Sequence, residues 1–132
     1  MVNKHFDKLD QLSHLNDNLA GNIEKGLGQT PLELAKAEAD RENVWSIMAA
    51  TLDRYDAVLT PVSSVNPFPV AQNYPETING KPMTSYIDWI ASTFVVSLIG
   101  LPAISVPAGL SSEGLPVGLQ VIGGRYSEAK LL

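Results

Sequence analysis

The chain contains no cysteine and few basic residues, and both features exclude some classes of function. The 132 residues include no Cys, which excludes disulfide scaffolds, thiolate chemistry and cysteine-based zinc sites. The 9 Lys and Arg are outnumbered by 14 Asp and Glu, giving a net charge of −5. Because nucleic acids and anionic membranes select basic surfaces, we expect neither as a partner.

No hydrophobic run is long enough for a membrane span. The most apolar stretch, Ile87 to Leu101, is interrupted by polar residues and is shorter than the roughly 20 residues that cross a bilayer. The first eight residues are charged and amphipathic, whereas a signal peptide has an apolar centre. These features predict a cytoplasmic protein.

The first part of the chain has helical periodicity. One apolar residue recurs every three or four positions, which predicts a helical segment over residues 1–28. Asn, Asp and Gly at positions 16–22 are poor helix formers, so a break into two shorter helices is expected there. The stripe comprises Phe6, Leu9, Leu12, Leu15, Leu19 and Ile23.

A strong helix start follows at Thr30-Pro-Leu-Glu33, where threonine and glutamate have capping-box spacing and proline suits the first helical position. It predicts a capped helix within residues 30–53, running from Pro31 to about Leu52. Trp45 and Ile47 lie beside its expected buried stripe. That stripe consists of Leu34, Ala37, Val44, Met48 and Leu52.

Residues 55–132 alternate short apolar runs with turn-forming residues. Ala57–Thr60 predicts a buried strand, and the proline-rich stretch between Pro61 and Pro82 predicts one long ordered loop. Thr84 or Ser85 could cap a helix from Tyr86 to about Ile99, which is apolar nearly all round. A helix that is apolar on all sides is expected to be buried, and we expect it to lie inside a protein larger than 132 residues.

The most informative text lies near the end of the chain. Gly100–Gly109 reads GLPAISVPAG and Gly114–Gly124 reads GLPVGLQVIGG, with Leu110–Glu113 between them as a polar turn. Apolar, β-branched runs bounded by Gly and Pro predict two strands of a hairpin. Ser127 is then expected to cap a last helix that begins at Glu128.

This text resembles the C-terminal region of the amidase signature family, serine hydrolases that cleave carboxamides. The resemblance extends from Tyr55 to Leu132. It implies an α/β fold, in which the chain forms the C-terminal part of a mixed β-sheet flanked by helices. Residues 1–132 would then be a partial amidase domain.

The resemblance also implies a serine nucleophile, a second serine on a cis peptide and a lysine base, all in a Gly- and Ser-rich stretch. Backbone N–H groups can approach an oxyanion there because side chains are small. Neither Ser63-Ser64 nor Ser111-Ser112 has that glycine context. His5 and His14 are too far apart for a helical metal pair. We therefore predict no catalytic residue, metal site or cofactor in this chain.

One site implied by the resemblance has counterparts here. In such amidases the helix before the GLPA strand lines the channel for the acyl group of the substrate. The matching residues, at helical spacing, are Ile87, Ile90 and Phe94. An apolar wall suits an aliphatic or aromatic acyl group. The alternative is that these three side chains belong to the core.

Two functional hypotheses remain open from sequence. The first is the C-terminal portion of an amidase, inactive alone, whose partners are a small-molecule amide and either the missing N-terminal portion or a second copy. The second is a separately encoded non-catalytic module that packs on a partner chain. The text Tyr86-Ile-Asp-Trp89 favours general amidases over the amidotransferase subunits that act on charged transfer RNA.

Overall fold

A computed structural model describes residues 6–132, and the side chains from residue 9 onward. The predictions for residues 1–5, including His5, lie outside this range. The chain divides after Asp40 into two compact units, the second being Arg41–Leu132. No helix in the described part of the chain has both the length and the apolarity needed to cross a membrane.

The described part of the first unit is helical, as its periodicity predicts. A 3-10 segment, Phe6–His14, is kinked at Gln11 and precedes helix α1, Asp17–Leu27. Asn16 caps α1, since its side-chain oxygen accepts a hydrogen bond of 2.9 Å from the Leu19 N–H. The predicted break therefore occurs just before α1, and Ile23 of the apolar stripe is fully buried.

Helix α2, Pro31–Leu52, begins and ends where the sequence predicts. The Thr30 hydroxyl accepts a hydrogen bond from the Glu33 N–H at 3.2 Å, and the Glu33 carboxylate accepts one from the Thr30 N–H at 2.8 Å. This reciprocal pair is a capping box.

The predicted buried stripe of α2 is only half correct. Leu34 is 55% exposed and Ala37 is also exposed, whereas Val44, Met48 and Leu52 are half-buried against the core of the second unit. Trp45 also packs there, but Ile47 is 59% exposed. Periodicity marks the apolar face of a helix, yet only tertiary packing decides which turns are covered.

The second unit contains a three-stranded antiparallel sheet. Its strands are β1, Val58–Pro61; β4, Ala103–Leu110; and β5, Pro116–Ile122, with β5 in the middle. The hairpin prediction is confirmed, with Ala103 opposite Ile122 and Leu110 opposite Pro116. Pro61 and Pro107 lie on the two outer strands of this described sheet, where a missing N–H is tolerated.

The segment expected to be a single loop contains a small second sheet. Strands β2, Thr77–Ile78, and β3, Lys81–Pro82, pair around Asn79-Gly80, both of which have positive φ. Asn-Gly is the dipeptide that a tight hairpin turn favours. This turn signal, rather than the surrounding prolines, determined the local structure.

The helix expected from Tyr86 to Ile99 is shorter and broken. A 3-10 turn, Asp88–Ile90, leads into helix α3, Ala91–Leu98. The predicted capping role of Thr84 or Ser85 is not seen, because their side chains accept no hydrogen bond from the helix. Instead, the N–H groups and hydroxyls of both residues donate to the Asp88 carboxylate. Gly100, with φ of 69°, follows the helix and reverses the chain.

The core of the second unit lies between α2, α3 and the sheet. Its buried members are Val96, Ile99, Leu101 and Ile122. A short last helix, α4, spans Glu128–Leu131. This helix begins at Glu128 with Ser127 at its N-cap position, as predicted, but the Ser127 hydroxyl donates to the Gly124 carbonyl at 2.7 Å and makes no cap hydrogen bond to the helix.

Candidate functional site

A groove of about 630 Å³ lies in the second unit beside the end of β1 and the start of β5. Three parts of the chain form it: the segment after β1, the 3-10 turn, and the β4–β5 hairpin. The lining residues are Val62, Ser63, Ser64, Val65, Asn66, Pro67, Phe68, Trp89, Ser105, Pro116, Val117 and Gly118. Its volume is within the range of small-molecule sites.

The base of the groove depends on a close approach at Gly118. A Cβ atom there would lie 3.0 Å from the Ser105 Oγ and 3.1 Å from the Val62 Cγ2. The Gly118 carbonyl also accepts a hydrogen bond of 3.3 Å from the Val62 N–H. Glycine therefore allows the segment after β1 to pack directly on β5.

Two aromatic rings form part of the groove wall. Phe68 and Trp89 meet edge to face, with ring centroids 5.3 Å apart and planes at 78°. Tyr86 makes a similar contact with Trp89 at 6.5 Å. The Trp89 indole Nε1 is buried and has no hydrogen-bond partner among the described residues. A buried donor without an acceptor is costly, so this atom is unusual.

The polar side chains of the groove differ in whether they are already hydrogen-bonded. The Ser63 hydroxyl donates to the Val65 carbonyl at 2.7 Å and accepts from the Val65 N–H. In the described structure, the side chains of Ser64, Asn66 and Ser105 make no hydrogen bond. Three uncharged polar groups are therefore available to a ligand.

The turn that positions Trp89 is stabilised by its neighbour Asp88. Hydrogen bonds from the Thr84 backbone and hydroxyl, and then from Ser85, lower the Asp88 pKa to about 2. The carboxylate is therefore ionised near neutral pH. It serves as a local acceptor that fixes the start of the 3-10 turn.

The three residues predicted to form an acyl wall do not line this groove. Ile87 precedes the 3-10 turn, Ile90 ends it, and Phe94 lies in α3; all three are half-buried. Because Ile90 has non-helical angles of φ −100° and ψ 14°, they do not share one continuous helix. Their role in binding an acyl group stays a prediction.

Gln120 makes a tertiary contact that was not predicted from the sequence. This β5 side chain is buried, with 7% exposure, and its Nε2 donates to the Thr60 Oγ1 at 2.8 Å and to the Ser92 carbonyl at 3.1 Å. It therefore connects β5 to both β1 and α3. A polar residue in an apolar run was the available signal, since burial requires such partners.

The ionisable groups do not assemble into a reactive cluster within the described residues. No group of three His, Asp or Glu side chains there could hold a metal ion. Lys130 Nζ donates to the Asp56 carboxylate at 2.6 Å, and this hydrogen bond and the lysine charge lower the Asp56 pKa. Both side chains are exposed, at 58% and 93%, so the pair stabilises the fold only slightly.

Comparison with known proteins identifies the family. A family model described as Amidase matches residues 7–132. The chain belongs to the amidase family. The resemblance expected from the GLPAISVPAG and GLPVGLQ text is thereby confirmed.

Curated relatives of this amidase-family chain include two kinds of protein. A glutamyl-tRNA(Gln) amidotransferase subunit of Alkaliphilus metalliredigens is 41% identical over 97 residues, 74% of this chain and 18% of that protein. An acylamidase of Rhodococcus erythropolis is 28% identical over 131 residues, 96% of this chain and 27% of the relative.

Solved structures agree with the fold. The crystal structure of a bacterial aryl acylamidase has a TM-score of 0.78 at 29% identity, covering 89% of this chain and 24% of its own. A second crystal structure, of an amidase, has a TM-score of 0.80 at 25% identity, covering 96% and 29%. The mixed α/β fold class is thus confirmed. This chain spans about a quarter of the length of these structures.

Proposed function

We propose that this chain forms the C-terminal portion of an amidase that hydrolyses carboxamides, and that it has no catalytic activity alone. Its role would be to supply scaffold and an apolar substrate wall. The family match over residues 7–132 is the observation that carries this proposal. A chain that spans about a quarter of its structural relatives is well suited to a partial amidase domain.

The side-chain contacts support the proposed lack of activity. A serine nucleophile needs a base within hydrogen-bond reach. In the described residues, the hydroxyls of Ser63, Ser111 and Ser127 are bonded to backbone groups. Lys130 Nζ is bonded to Asp56 rather than to a serine.

The inactivity is tested by incubating the purified chain with an aryl amide such as acetanilide. We expect no turnover above a protein-free blank, since loss of a nucleophile alone can lower kcat by about a millionfold. Turnover that a serine-directed phosphonate abolishes would contradict the proposal. Heat-treated chain is the matched control.

Exposed apolar side chains favour a covering partner. Leu59 on β1 is 59% exposed and Leu98 on α3 is 55% exposed. Apolar area of this kind commonly marks an interface. We propose that the partner is the remaining portion of the amidase or a second copy of this chain. A sharp monomer by light scattering, with no binding of an apolar dye, would argue against both.

The coding DNA upstream of Met1 separates the proposal from its alternative. An in-frame Gly- and Ser-rich segment would support one amidase chain. A stop codon directly upstream, with a stable complex formed on a different protein, would favour the separately encoded non-catalytic module.

The proposed acyl wall is tested at Phe94. This chain would replace the matched segment of the Rhodococcus erythropolis acylamidase, and Phe94→Ala would be compared with Leu98→Ala. If Phe94 lines the acyl site, discrimination between a short and a long acyl amide falls by about 1–3 kcal/mol in kcat/KM.

A core role for Phe94 gives a different result. Truncating a fully buried Phe would cost about 3–5 kcal/mol of stability, with a smaller loss at this half-buried position. A lower melting temperature with an unchanged substrate ratio would remove Ile87, Ile90 and Phe94 from the site. A chimera that folds yet hydrolyses no amide would count against the scaffold role.

A further inference from the structure

We propose that the groove between the Phe68–Trp89 pair and the β4–β5 hairpin binds an uncharged carboxamide that carries an aryl group. The residues of the proposed acyl wall, Ile87, Ile90 and Phe94, are not among the groove's lining residues. The choice of a carboxamide rests on the proposed function. The preference for an uncharged, aromatic ligand rests on the groove itself.

Charge is the first property that restricts the ligand. None of the described residues that line the groove is Asp, Glu, Lys, Arg or His. A carboxylate or ammonium ion entering it would lose water without gaining an opposite charge. Its volume of about 630 Å³ suits a small molecule, and the class that fits is therefore neutral.

The aromatic contacts restrict the shape of the ligand. Phe68 and Trp89 form an edge-to-face pair on one side, and Pro116 and Val117 supply apolar surface from the hairpin. An aryl ring can add to such a pair in an offset or edge-on geometry. A flat ring therefore gains more from this wall than a polar chain of equal size.

The free polar groups match an amide. An amide needs donors for its carbonyl oxygen and acceptors for its N–H. The hydroxyls of Ser64 and Ser105 and the side-chain amide of Asn66 supply both, and within the described residues they make no hydrogen bond.

The direct test is a titration of the full, isotope-labelled chain with phenylacetamide, observed by NMR. The chain has two tryptophans, so Trp45→Phe assigns the indole signals. We expect the Trp89 indole signal to move in a saturable way while that of Trp45 stays still. A ligand of this size should bind with a dissociation constant on the order of 1 mM.

Phenylacetate is the matched ligand, because it differs mainly in replacing the amide with a carboxylate. It should bind roughly tenfold or more weakly, since the groove offers no cation. Equal binding of phenylacetate would overturn the proposed ligand class. The absence of any saturable shift of Trp89 with phenylacetamide would overturn the site.

Two pairs of variants locate the binding. Val117→Phe places a ring in the groove, and Val70→Phe makes the same change at a fully exposed position outside it. We expect roughly tenfold weaker binding for the first and no change for the second. Ser105→Ala should weaken binding several-fold, whereas Ser112→Ala, in the hairpin turn, should not.

Because Val117 is itself 40% exposed, its substitution should leave the fold intact, and the backbone NMR spectrum verifies this. Unchanged affinity in Val117→Phe would overturn the groove as the site. The titration involves no catalysis, so its failure is distinguishable from failure of the proposed amidase role. If the chimera hydrolyses amides but the isolated chain does not bind phenylacetamide, the proposed amidase role stands and the proposed groove site is wrong.

Discussion

Both halves of α2 are helical, but different interactions stabilise them. Every residue from Pro31 to Asp40 is exposed, including Leu32 at 65%. In the second half, Val44, Trp45 and Met48 pack against the core of the second unit. A continuous helix in the structure therefore need not have a single cause.

Local hydrogen bonds account for the first half. The Thr30–Glu33 capping box satisfies backbone donors that a helix start leaves free. The Thr30 backbone and then its hydroxyl, both donating to Glu33, lower the pKa of that carboxylate. The second half instead buries apolar surface against neighbouring segments. In most helices such burial contributes more to helix stability than local hydrogen bonds do.

The largest effect is expected from a substitution in the core against which the second half of α2 packs. Ile99 is 2% exposed, so Ile99→Ala should lower the free energy of unfolding by about 2–5 kcal/mol. Leu34→Ala, on the exposed half of α2, is the matched control and should change it by no more than about 0.5 kcal/mol. Urea unfolding of both variants checks this. A similar loss in Leu34→Ala would mean that the first half of α2 is also packed in solution.

The capping box is the next target. Thr30→Ala should cost about 1 kcal/mol and reduce helicity in the first half of α2, because the Glu33 N–H loses its acceptor. Circular dichroism and hydrogen exchange along α2 provide the measurement. Thr51→Ala, near the other end of the helix, is the control. Unchanged exchange in residues 31–40 of Thr30→Ala would show that the cap is not the cause.

A smaller effect is expected at the contact that secures the second half. The Arg125 guanidinium lies 4.0 Å from the centre of the Trp45 ring. Arg125→Gln should lower stability by about 0.5–1 kcal/mol through loss of this cation–π contact. Arg54→Gln is the comparison, since that guanidinium lies 5.8 Å from the Tyr55 ring. An equal melting temperature for Arg125→Gln and the parent would refute the contribution.

The smallest effect concerns pH. The Asp88 pKa is lowered to about 2 from 3.8 in the folded chain, so its contribution to stability is present above about pH 4 and is lost as pH falls toward 2. Asp88→Asn should flatten the stability profile across that window.

NMR titration of the Asp88 carboxyl group gives the pKa directly. Thr84→Val combined with Ser85→Ala removes both hydroxyl donors and should move the pKa back toward 3.8. An unchanged value in the double variant would assign the shift to the backbone donors alone.

Local signals predicted much of the fold. The Gly and Pro boundaries of Gly100–Gly109 and Gly114–Gly124 indicated the hairpin, and the structure pairs β4 with β5 there. Turn chemistry and caps act over a few residues, which explains why such predictions succeed. The helix expected from Tyr86 failed because periodicity cannot show that Ile90 leaves helical geometry.

The groove could not have been predicted in the same way. It brings Ser64, Trp89 and Val117 together from three separated parts of the chain. Ser64 and Val117 come together through the pairing of β1 with β5 and the space left by Gly118, and Trp89 joins them through its ring contact with Phe68. No sequence period records such contacts.

The amino-acid sequence was enough to predict the β4–β5 hairpin, the start of α2 and the family resemblance, because these depend on neighbouring residues and on characteristic sequence motifs. Three-dimensional packing was needed to show which half of α2 is covered, how Gln120 is satisfied and where the groove lies. Burial depends on what other segments place against a residue, and that information is spread over the whole chain.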